Sequence, residues 1–276
     1  MIHQQQIVSY TVFILIILII GIFATRSGKS DSLLELFASQ KQIINFDNTD
    51  IYMINLDRNA DRLESFIEQY MMCDLRYKQF QRIPAVDGSS LDIKQYISNF
   101  AYKEIMQIEK TGYRTKHYQL TRGAIGCYLS HIKVYELIAA GESDYGIVFE
   151  DDVMIDKNVL SKLNKVLPTM DDDWDMLLLG CHCIVCDKFE SYYKLEKFFL
   201  LHGFVMKKSA AIKILEILRN KKITQQIDSE LSDMITQGHV NVYCLKSQLA
   251  KQQDFDTNIQ TPLKVMPGVN PYTVLV

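Results

Sequence analysis

The sequence lacks an excess of basic charge and several common nucleotide-binding motifs. Its 276 residues carry 30 Lys and Arg against 33 Asp and Glu, which is not the electrostatic footprint of a nucleic-acid-binding protein. Neither Gly-x-Gly-x-x-Gly nor Gly-x-x-x-x-Gly-Lys-Ser/Thr occurs, which argues against a dinucleotide-binding domain and a P-loop NTPase. No internal repeat or low-complexity tract is evident. A composition of 48% apolar and 23% charged residues predicts one large globular domain or two small ones.

The six cysteines neither prove nor exclude an oxidising compartment. Cys181, Cys183 and Cys186, with His182 among them, resemble a metal cluster. A structural zinc site needs four ligands and usually pairs two Cys-x-x-Cys knuckles, of which the sequence has one. We therefore favour a loop of free or disulfide-paired thiols over a zinc site.

One long apolar run occupies residues 7–24. At about 1.5 Å per residue, it is just long enough to cross a hydrocarbon core as a helix. Because residues 1–6 contain no Lys or Arg, an uncleaved anchor is favoured over a signal peptide. We expect a single-pass membrane anchor over 1–26 and a polar stalk over 27–49.

The orientation of this anchor stays open. Arg26 and Lys29 follow the run and nothing basic precedes it, so the positive-inside rule favours a cytosolic body. Two charges are a weak bias, and an ER- or Golgi-type lumenal location is the alternative.

Three consecutive acids, Glu150, Asp151 and Asp152, follow an apolar run at 145–149 that is typical of a buried strand. Unpaired buried carboxylates are costly, and ligands of open α/β sheets bind outside the carboxyl ends of the strands. Oxygen ligands at such an edge suit Mg²⁺ or Mn²⁺ holding a phosphate. The alternative is a solvated acidic turn.

Strands and helices alternate along the chain, which predicts a mainly parallel sheet with helices on both faces. Predicted strands lie at 51–55, 79–84, 145–149, 174–180, 202–206 and 240–245. After a helix that follows the first strand, predicted helices lie at 122–140, 157–167, 209–220 and 230–236. The helical periodicity directs inward Leu63, Phe66, Ile67, Tyr70 and Met71 of the first helix and Ile125, Leu129, Ile132 and Leu137 of the second.

Six blocks of the sequence, in order, resemble glycosyltransferase family 25, which includes bacterial lipooligosaccharide and collagen hydroxylysine galactosyltransferases. The blocks are IYMINLDR at 51–58 with Asp61 and Arg62, RIPAVDG at 82–88, LTRGAIGCYLSH at 120–131, IVFEDD at 147–152, WDMLLLG at 174–180, and HGFVM at 202–206 with residues 210–211 and 227–228. The match covers about residues 50–245, so we expect a transferase domain over 50–250 and a tail over 251–276. One departure is Ala124, where the family usually carries Glu.

The resemblance implies a GT-A-like, Rossmann-like enzyme that uses Mn²⁺ or Mg²⁺ and inverts the anomeric centre. Such an enzyme would move a hexose, galactose or glucose, from a UDP-sugar to a hydroxyl of a protein or glycan. Asp152 is the first candidate for the direct metal ligand. Glu150 would act through water or on the ribose, and Asp151 would do either. His202 is a second metal ligand or phosphate contact, with a surface histidine as the alternative.

The expected donor site also includes Asn55, Asp57 and Ser130. Arg58 and Arg62 would bind the diphosphate, or form a solvated helix face. Asp87 would hydrogen-bond the uracil or ribose, or complete an Asp-Gly turn.

Ser130 and His131 are neighbours, so on a helix they diverge by about 100° and cannot form a nucleophile–base pair. His131 would line the donor site, or serve the core or a helix cap. Inversion needs a base for the acceptor hydroxyl, and Asp228 matches the family's late acid. Its competitors are Glu230, Asp175 and the acids at 171–173.

A catalytically inactive GT-A-like binding or assembly module is the competing function, because Ala124 would permit loss of activity. The three acids at 150–152 argue against it, since an inactive site has no reason to keep costly charge. The expected partners are a UDP-sugar, an acceptor and the membrane, with a homodimer left open and no nucleic acid.

Overall fold

A computed structural model describes residues 43–114, 119–253 and 259 of the protein. The predicted anchor and the stalk up to residue 42 lie outside these residues, as does most of the predicted tail. Among the described helices, none combines the length and apolar character needed to cross a membrane.

The centre of the fold is an eight-stranded sheet in the order β2-β1-β3-β8-β5-β9-β7-β6. Its strands are β1 (Thr49–Asn55), β2 (Gln81–Pro84), β3 (Tyr145–Glu150), β5 (Met176–Leu178), β6 (His182–Lys188), β7 (Tyr192–Phe199), β8 (Gly203–Lys207) and β9 (Val242–Leu245). A separate two-stranded sheet pairs β4 (Val153–Ile155) with β10 (Ala250–Gln252). The helices are α1 (Ala60–Met72), α2 (Asn99–Thr111), α3 (Arg122–Ala140), α4 (Val159–Val166), α5 (Lys208–Leu218) and α6 (Ile227–Thr236).

The predicted α/β class is confirmed, but the sheet is mixed rather than mainly parallel. β1 pairs in parallel with β2 and β3, and β5 with β9. β8 lies antiparallel between β3 and β5, and the hairpin of β6 and β7 adds two antiparallel pairings. An apolar run predicts a strand but not its direction, so the sequence pattern could not reveal β8's reversal.

Helices cover both faces of the sheet, as predicted. Successive side chains of β3 point to opposite faces, so Val148 and Phe149 belong to different apolar clusters. Val148 joins the cluster with α3, α5 and α6, whereas Phe149 joins the cluster with α1 and α4.

The inward faces of two helices were predicted only in part. On α1, Phe66 is buried, but Ile67 and Met71 are 41% and 59% exposed. On α3, Ile125 is buried, whereas Leu137 is 36% exposed and Leu129 and Ile132 are half-buried. On α1 the apolar stripe is wider than the contact with the sheet, so Ile67 and Met71 at its border stay exposed. On α3, which is apolar over most of its surface, tertiary packing selects the buried stripe. On α3 that stripe also carries Ala124, Tyr128, His131, Val134, Tyr135 and Ile138.

A close approach between α3 and the loop after β2 shapes the edge of the sheet that carries the predicted site. A Cβ on Gly88 would lie 1.8 Å from the carbonyl oxygen of Arg122, and one on Gly126 would lie 2.4 Å from that of Val86. Only glycine fits where two backbones meet this closely. The loop is thereby held against the first turns of α3, beside the carboxyl ends of β1 and β3.

Candidate active-site cleft

A cleft of about 360 Å³ opens at the carboxyl ends of β1 and β3. Its walls come from these strand ends, the loop after β2, the first turns of α1 and α3, part of α2, and Gln252. The structure gathers most of the predicted site residues here: Asn55, Arg58, Arg62, Asp87, Ser130, His131, Glu150, Asp151 and Asp152. Three predicted residues, Asp57, His202 and Asp228, are not part of this lining.

Asp151 has both carboxylate oxygens engaged by neighbouring side chains. Asn55 donates its amide to Oδ2 at 2.7 Å, and Arg62 donates to Oδ1 at 3.2 Å. Asn55 is itself fixed, because its Oδ1 accepts from Arg82 at 2.9 Å. All three of the predicted residues Asn55, Arg62 and Asp151 thus hold one another at the base of the cleft.

Asp152 differs from its neighbour because one of its oxygens has no partner. Oδ2 accepts from Gln252 at 2.9 Å and lies 4.0 Å from Arg62. Oδ1 is buried without a hydrogen-bond partner among the described residues. Burial, and then the charge of Glu150, raises the pKa of Asp152 to about 7. A buried oxygen of this kind is costly unless a ligand satisfies it.

Glu150 ends β3 and contacts two side chains of α3. His131 Nε2 lies 2.8 Å from Glu150 Oε1, and the Cys127 thiol donates to the same oxygen at 3.8 Å. Burial alone would raise the pKa of Glu150, but the hydrogen bond from His131 and the nearby imidazoles hold it below the usual range. Burial, reinforced by the charge of Glu150, raises the pKa of the Cys127 thiol. The ring of His131 stacks on Phe204 at 5.9 Å between centroids.

His202 is buried behind the cleft, which excludes the surface histidine considered as an alternative. Its Nε2 lies 3.0 Å from the carbonyl oxygen of Ala250. A carbonyl only accepts, so Nε2 carries the proton and the lone pair is on Nδ1. This Nδ1 is buried and has no partner within the described part of the chain. Burial lowers the pKa of His202, so the ring is neutral at physiological pH.

Asp228 lies in the first turn of α6, near the acids of the cleft. Its Oδ1 accepts from the backbone of Ser229 at 2.7 Å. Burial raises the pKa of Asp228 to about 6, and the charge of Glu150 adds to the rise.

The competing bases are engaged elsewhere. Glu230 is fully buried and ion-paired with Lys221. Asp175 accepts from Lys213 at 2.8 Å and from the backbone of Asn241 at 2.8 Å. These contacts give both carboxylates structural roles.

The rim of the cleft carries an ion pair between Arg58 and Asp87. Asp87 also accepts from the backbone of Ser89 at 3.0 Å, so the predicted turn role is confirmed. The hydroxyl of Ser89, and then the guanidinium of Arg58, holds the pKa of Asp87 below its ordinary value, although partial burial opposes this. Asp57 lies outside the cleft, where its exposed side chain pairs with Arg82 at 2.5 Å.

Ser130 ties α3 to the loop after β2. Its hydroxyl donates to the carbonyl of Gly126 at 2.7 Å and accepts from the backbone of Val86 at 2.8 Å. Both hydrogen bonds hold the wall of the cleft in place, so the Ser130 side chain stabilises the shape of the cleft.

Ala124 is buried in the core and lies outside the cleft lining. It follows the helix cap of Thr121, whose hydroxyl accepts from the backbone of Ala124 at 3.1 Å. This is the position at which Glu would complete a capping box. Its neighbours Thr121, Arg122, Gly123 and Cys127 line the cleft, so position 124 borders the site although Ala124 itself is not part of the lining.

Among the cleft residues that were not predicted are Cys127 and Gln252, which contact Glu150 and Asp152, respectively. Cys127 precedes His131 by four residues, so the helical spacing could have indicated a shared face. Gln252 lies at the end of β10, two residues into the predicted tail, and no local pattern indicates that this segment returns to the acidic motif.

The cysteines at 181–186 contain a disulfide. Cys183 and Cys186 are bonded, whereas Cys181 is a free thiol and His182 is exposed. The disulfide removes two of the four ligands that a zinc site would need, so the interpretation as paired and free thiols is confirmed.

The fold and the cleft define an α/β protein with an acidic ligand-binding edge. A model of glycosyltransferase family 25, described as an LPS biosynthesis protein family, matches residues 48–200, more than half of the chain. The chain belongs to this family.

Several curated proteins are similar to this protein over about half of the chain. Procollagen galactosyltransferase 2 of Homo sapiens is 32% identical over 137 residues, 48% of this chain and 20% of the relative. A putative glycosyltransferase, R655, of Acanthamoeba polyphaga mimivirus is 30% identical over 159 residues, 56% of this chain and 45% of the relative. Inactive glycosyltransferase 25 family member 3 of Homo sapiens is 28% identical over 142 residues, 50% of this chain and 22% of the relative. The matched region thus spans less than half the length of each of these relatives.

Proposed function

We propose that the protein is a metal-dependent, inverting glycosyltransferase that moves a hexose, galactose or glucose, from a UDP-sugar to a hydroxyl of a protein or glycan. The observation that carries this proposal is the buried, unpartnered Oδ1 of Asp152 at the base of a cleft bordered by Arg58 and Arg62. The similarity to a procollagen galactosyltransferase supports the transfer of a sugar.

The residues of the cleft fit a hard divalent cation. Asp152 would hold Mn²⁺ or Mg²⁺ through Oδ1, with Glu150 beside it, because carboxylate oxygens suit these ions. His202 is not part of the cleft lining and belongs to no described group of three converging ligand side chains, so it is left out of the proposed ion site. When bound, such an ion neutralises the charge that develops on a diphosphate leaving group.

The protein's own cations would bind the donor. Arg62 is fixed by Asp151 and lies 4.0 Å from Asp152, so it adds positive charge at the base of the cleft. Arg58 is half-exposed at the rim and pairs with Asp87. A diphosphate offers it stronger, bidentate contacts than this exposed pair does. Arg58 would therefore turn from Asp87 to the donor.

Asp228 would act as the general base. Its pKa of about 6 leaves it ionised at neutral pH yet close enough to the working pH to accept a proton. It would take the proton from the acceptor hydroxyl as that oxygen bonds to the anomeric carbon. The UDP leaves from the opposite side, so the configuration inverts.

A catalytically inactive binding module is the second candidate. One relative is named an inactive family member, and this chain has Ala124 where the family usually carries Glu. Ala124 occupies the third position of a helix and receives the cap of Thr121, where Glu would complete a capping box, so its loss need not affect the chemistry and this alternative is weakened. The unpartnered oxygen of Asp152 also favours a working site, because it is costly to keep without a ligand.

A panel of UDP-sugars, with and without Mn²⁺, tests the proposal through the release of UDP. The full chain is used, with collagen-type peptides and glycans as acceptors. We expect release with one UDP-hexose that depends on the ion and increases with an acceptor. Donor binding without release across the whole panel would favour the inactive module.

Membrane attachment through residues 7–24 is part of this proposal. The Cys183–Cys186 disulfide favours a body in an oxidising compartment, against the weak bias of Arg26 and Lys29 for the cytosol. Carbonate extraction and N-terminal sequencing test the anchor, and protease protection of sealed vesicles tests the orientation. A soluble product that begins after residue 24 would contradict the anchor.

A further inference from the structure

Three side chains in the cleft offer one sulfur, one nitrogen and one oxygen ligand atom around one point. Cys127 and His131 are one helical turn apart on α3, and Glu150 approaches both from the end of β3. One ligand atom from each lies within 4.8 Å of the other two. We infer that Cys127, His131 and Glu150 form a second cation site that takes Zn²⁺ or another thiophilic ion, distinct from the oxygen site of Asp152.

The distances between the ligand atoms are close to those of a tetrahedral zinc site. The thiol of Cys127 lies 3.8 Å from Glu150 Oε1, and His131 Nε2 lies 2.8 Å from the same oxygen. Zinc bonds of about 2.0 Å to N or O and about 2.3 Å to S require separations of about 3.3 Å and 3.5 Å, respectively. These two separations need changes of about half an ångström, whereas the third, between Cys127 and His131, lies within 4.8 Å and needs a shortening of up to about 1.3 Å. Side-chain rotation of Cys127 and His131 would have to supply it.

The donor set selects the ion. Thiolate and imidazole ligands suit zinc, whereas Mg²⁺ and Mn²⁺ prefer oxygen. Three protein ligands leave a fourth position, and Cys127, His131 and Glu150 all line the cleft, so this position is open to water or a ligand.

Binding of the ion requires a change of protonation at two of the three ligands, Cys127 and His131. The Cys127 thiol proton leaves to solvent as the thiolate bonds to the ion. In the metal-free protein His131 donates from Nε2 to Glu150. Metal binding at Nε2 therefore requires the imidazole proton to move, by exchange with solvent, to Nδ1, which leaves the lone pair of Nε2 for the ion. This Nδ1 has no hydrogen-bond partner among the described residues, whereas metal-bound histidines usually donate to an outer partner that orients the ring. The site therefore suits an exchangeable ion rather than a structural one.

Occupation of this site would inhibit transfer, an effect that rests on the proposed function. A zinc ion on Glu150 would withdraw that carboxylate from the neighbouring oxygen site. Zinc would also take the space beside Asp152 that the donor diphosphate needs. Thiophilic cations bound in the cleft would thus inhibit the transferase activity of the protein.

Cobalt absorption tests the site without any need for activity. The full chain is stripped with a chelator and titrated with Co²⁺ in the absence of donor sugar. Thiolate-bound Co²⁺ gives a near-ultraviolet charge-transfer band, and we expect this band to saturate at one equivalent and to disappear when Zn²⁺ is added. Cys127→Ser should abolish the band and weaken Zn²⁺ binding by at least about tenfold, the lower bound for even an outer-sphere residue.

Cys181→Ser is the matched control, because Cys181 is also a free, half-buried thiol but lies next to the β6 hairpin. It should keep the band. A band that persists in Cys127→Ser, disappears in Cys181→Ser or is absent from the wild type would overturn the inference.

A second measurement uses the wild type alone and so avoids any folding defect of a variant. Zn²⁺, but not Mg²⁺, should protect Cys127 from alkylation. Peptide mass spectrometry identifies the alkylated cysteine. Unprotected Cys127 would also overturn it. If the proposed transferase activity is wrong, these binding results stand and only the inhibition by Zn²⁺ is lost.

Discussion

Gln252 donates a hydrogen bond from its side-chain amide to Oδ2 of Asp152, at 2.9 Å and across 100 residues of sequence. This contact holds one oxygen of the carboxylate and leaves Oδ1 as the oxygen available to a ligand. Gln252 is therefore a positioning residue for the proposed metal site.

Gln252→Ala should weaken Mn²⁺ binding by about 10- to 100-fold, the usual effect of losing an outer-sphere contact. Transfer at saturating Mn²⁺ should fall much less. The measurement is activity and UDP binding as functions of Mn²⁺ concentration. Lys251→Ala is the control, since Lys251 is exposed on the same strand. Equal Mn²⁺ dependence of Gln252→Ala and the wild type would refute the positioning role.

Asp152→Asn should lower transfer by at least about a hundredfold, the scale of deleting one electrostatic stabiliser of a transition state. The substitution preserves size but removes the carboxylate that would hold the ion. The assay is UDP release at limiting Mn²⁺. Asp156→Asn is the matched control, because Asp156 pairs with Lys162 outside the cleft. Near-wild-type release by Asp152→Asn would contradict the assignment.

Asp228→Asn should lower transfer by about two to four orders of magnitude, the usual contribution of a general base. UDP–Mn²⁺ affinity, measured by calorimetry, should stay within a few-fold of wild type, because the base contacts the acceptor rather than the donor. Asp233→Asn, an exposed position on the same helix, is the control. If affinity and transfer collapse together, Asp228 belongs to the donor site or the fold.

The rate of transfer should depend on the ionisation of Asp228. Burial raises its pKa to about 6, and only the ionised form can accept a proton. The rate should therefore be lost as pH falls through about 6 and should level off above it. The test is a pH profile of kcat at saturating donor and Mn²⁺. A rate that increases on acidification through this range would exclude Asp228 as the base.

Gly126→Ala should destabilise the protein by about 1–3 kcal/mol, the range for forcing extra volume into a packed region. Its Cβ would meet the carbonyl oxygen of Val86 at 2.4 Å, and backbone cannot yield as a flexible side chain does. Urea unfolding monitored by circular dichroism gives the change in free energy. An unchanged midpoint would show that the loop relaxes away from α3.

Local sequence patterns predicted those parts of the cleft that are formed by residues close together in the sequence. The apolar run before Glu150 located the edge of the sheet, and the helix at 122–140 is observed with the same limits. The roles within the acidic triplet could not be predicted, because they depend on partners far away in the sequence. Asp151 is neutralised by Arg62, whereas Asp152 keeps a free oxygen.

The contribution of Gln252 and the hairpin of β6 and β7 could not be predicted either, because they too depend on contacts with residues far away in the sequence. Strands β6 and β7 are rich in exposed and charged residues, so their periodicity is weak. Strand β10 has three residues, too few for any period to be recognised. Both elements are stabilised by pairing with distant strands, which a local window cannot detect.

The pairing of β4 with β10 also fixes when the site can be completed during synthesis. Asp152 is synthesised 100 residues before Gln252. At a synthesis rate of about 5–20 residues per second, this interval is about 5 to 20 s. Until β10 emerges, the nascent chain carries the three acids without the strand that orients the last of them. The cleft can therefore bind its ion in the proposed geometry only after strand β10 has been synthesised and has paired with β4.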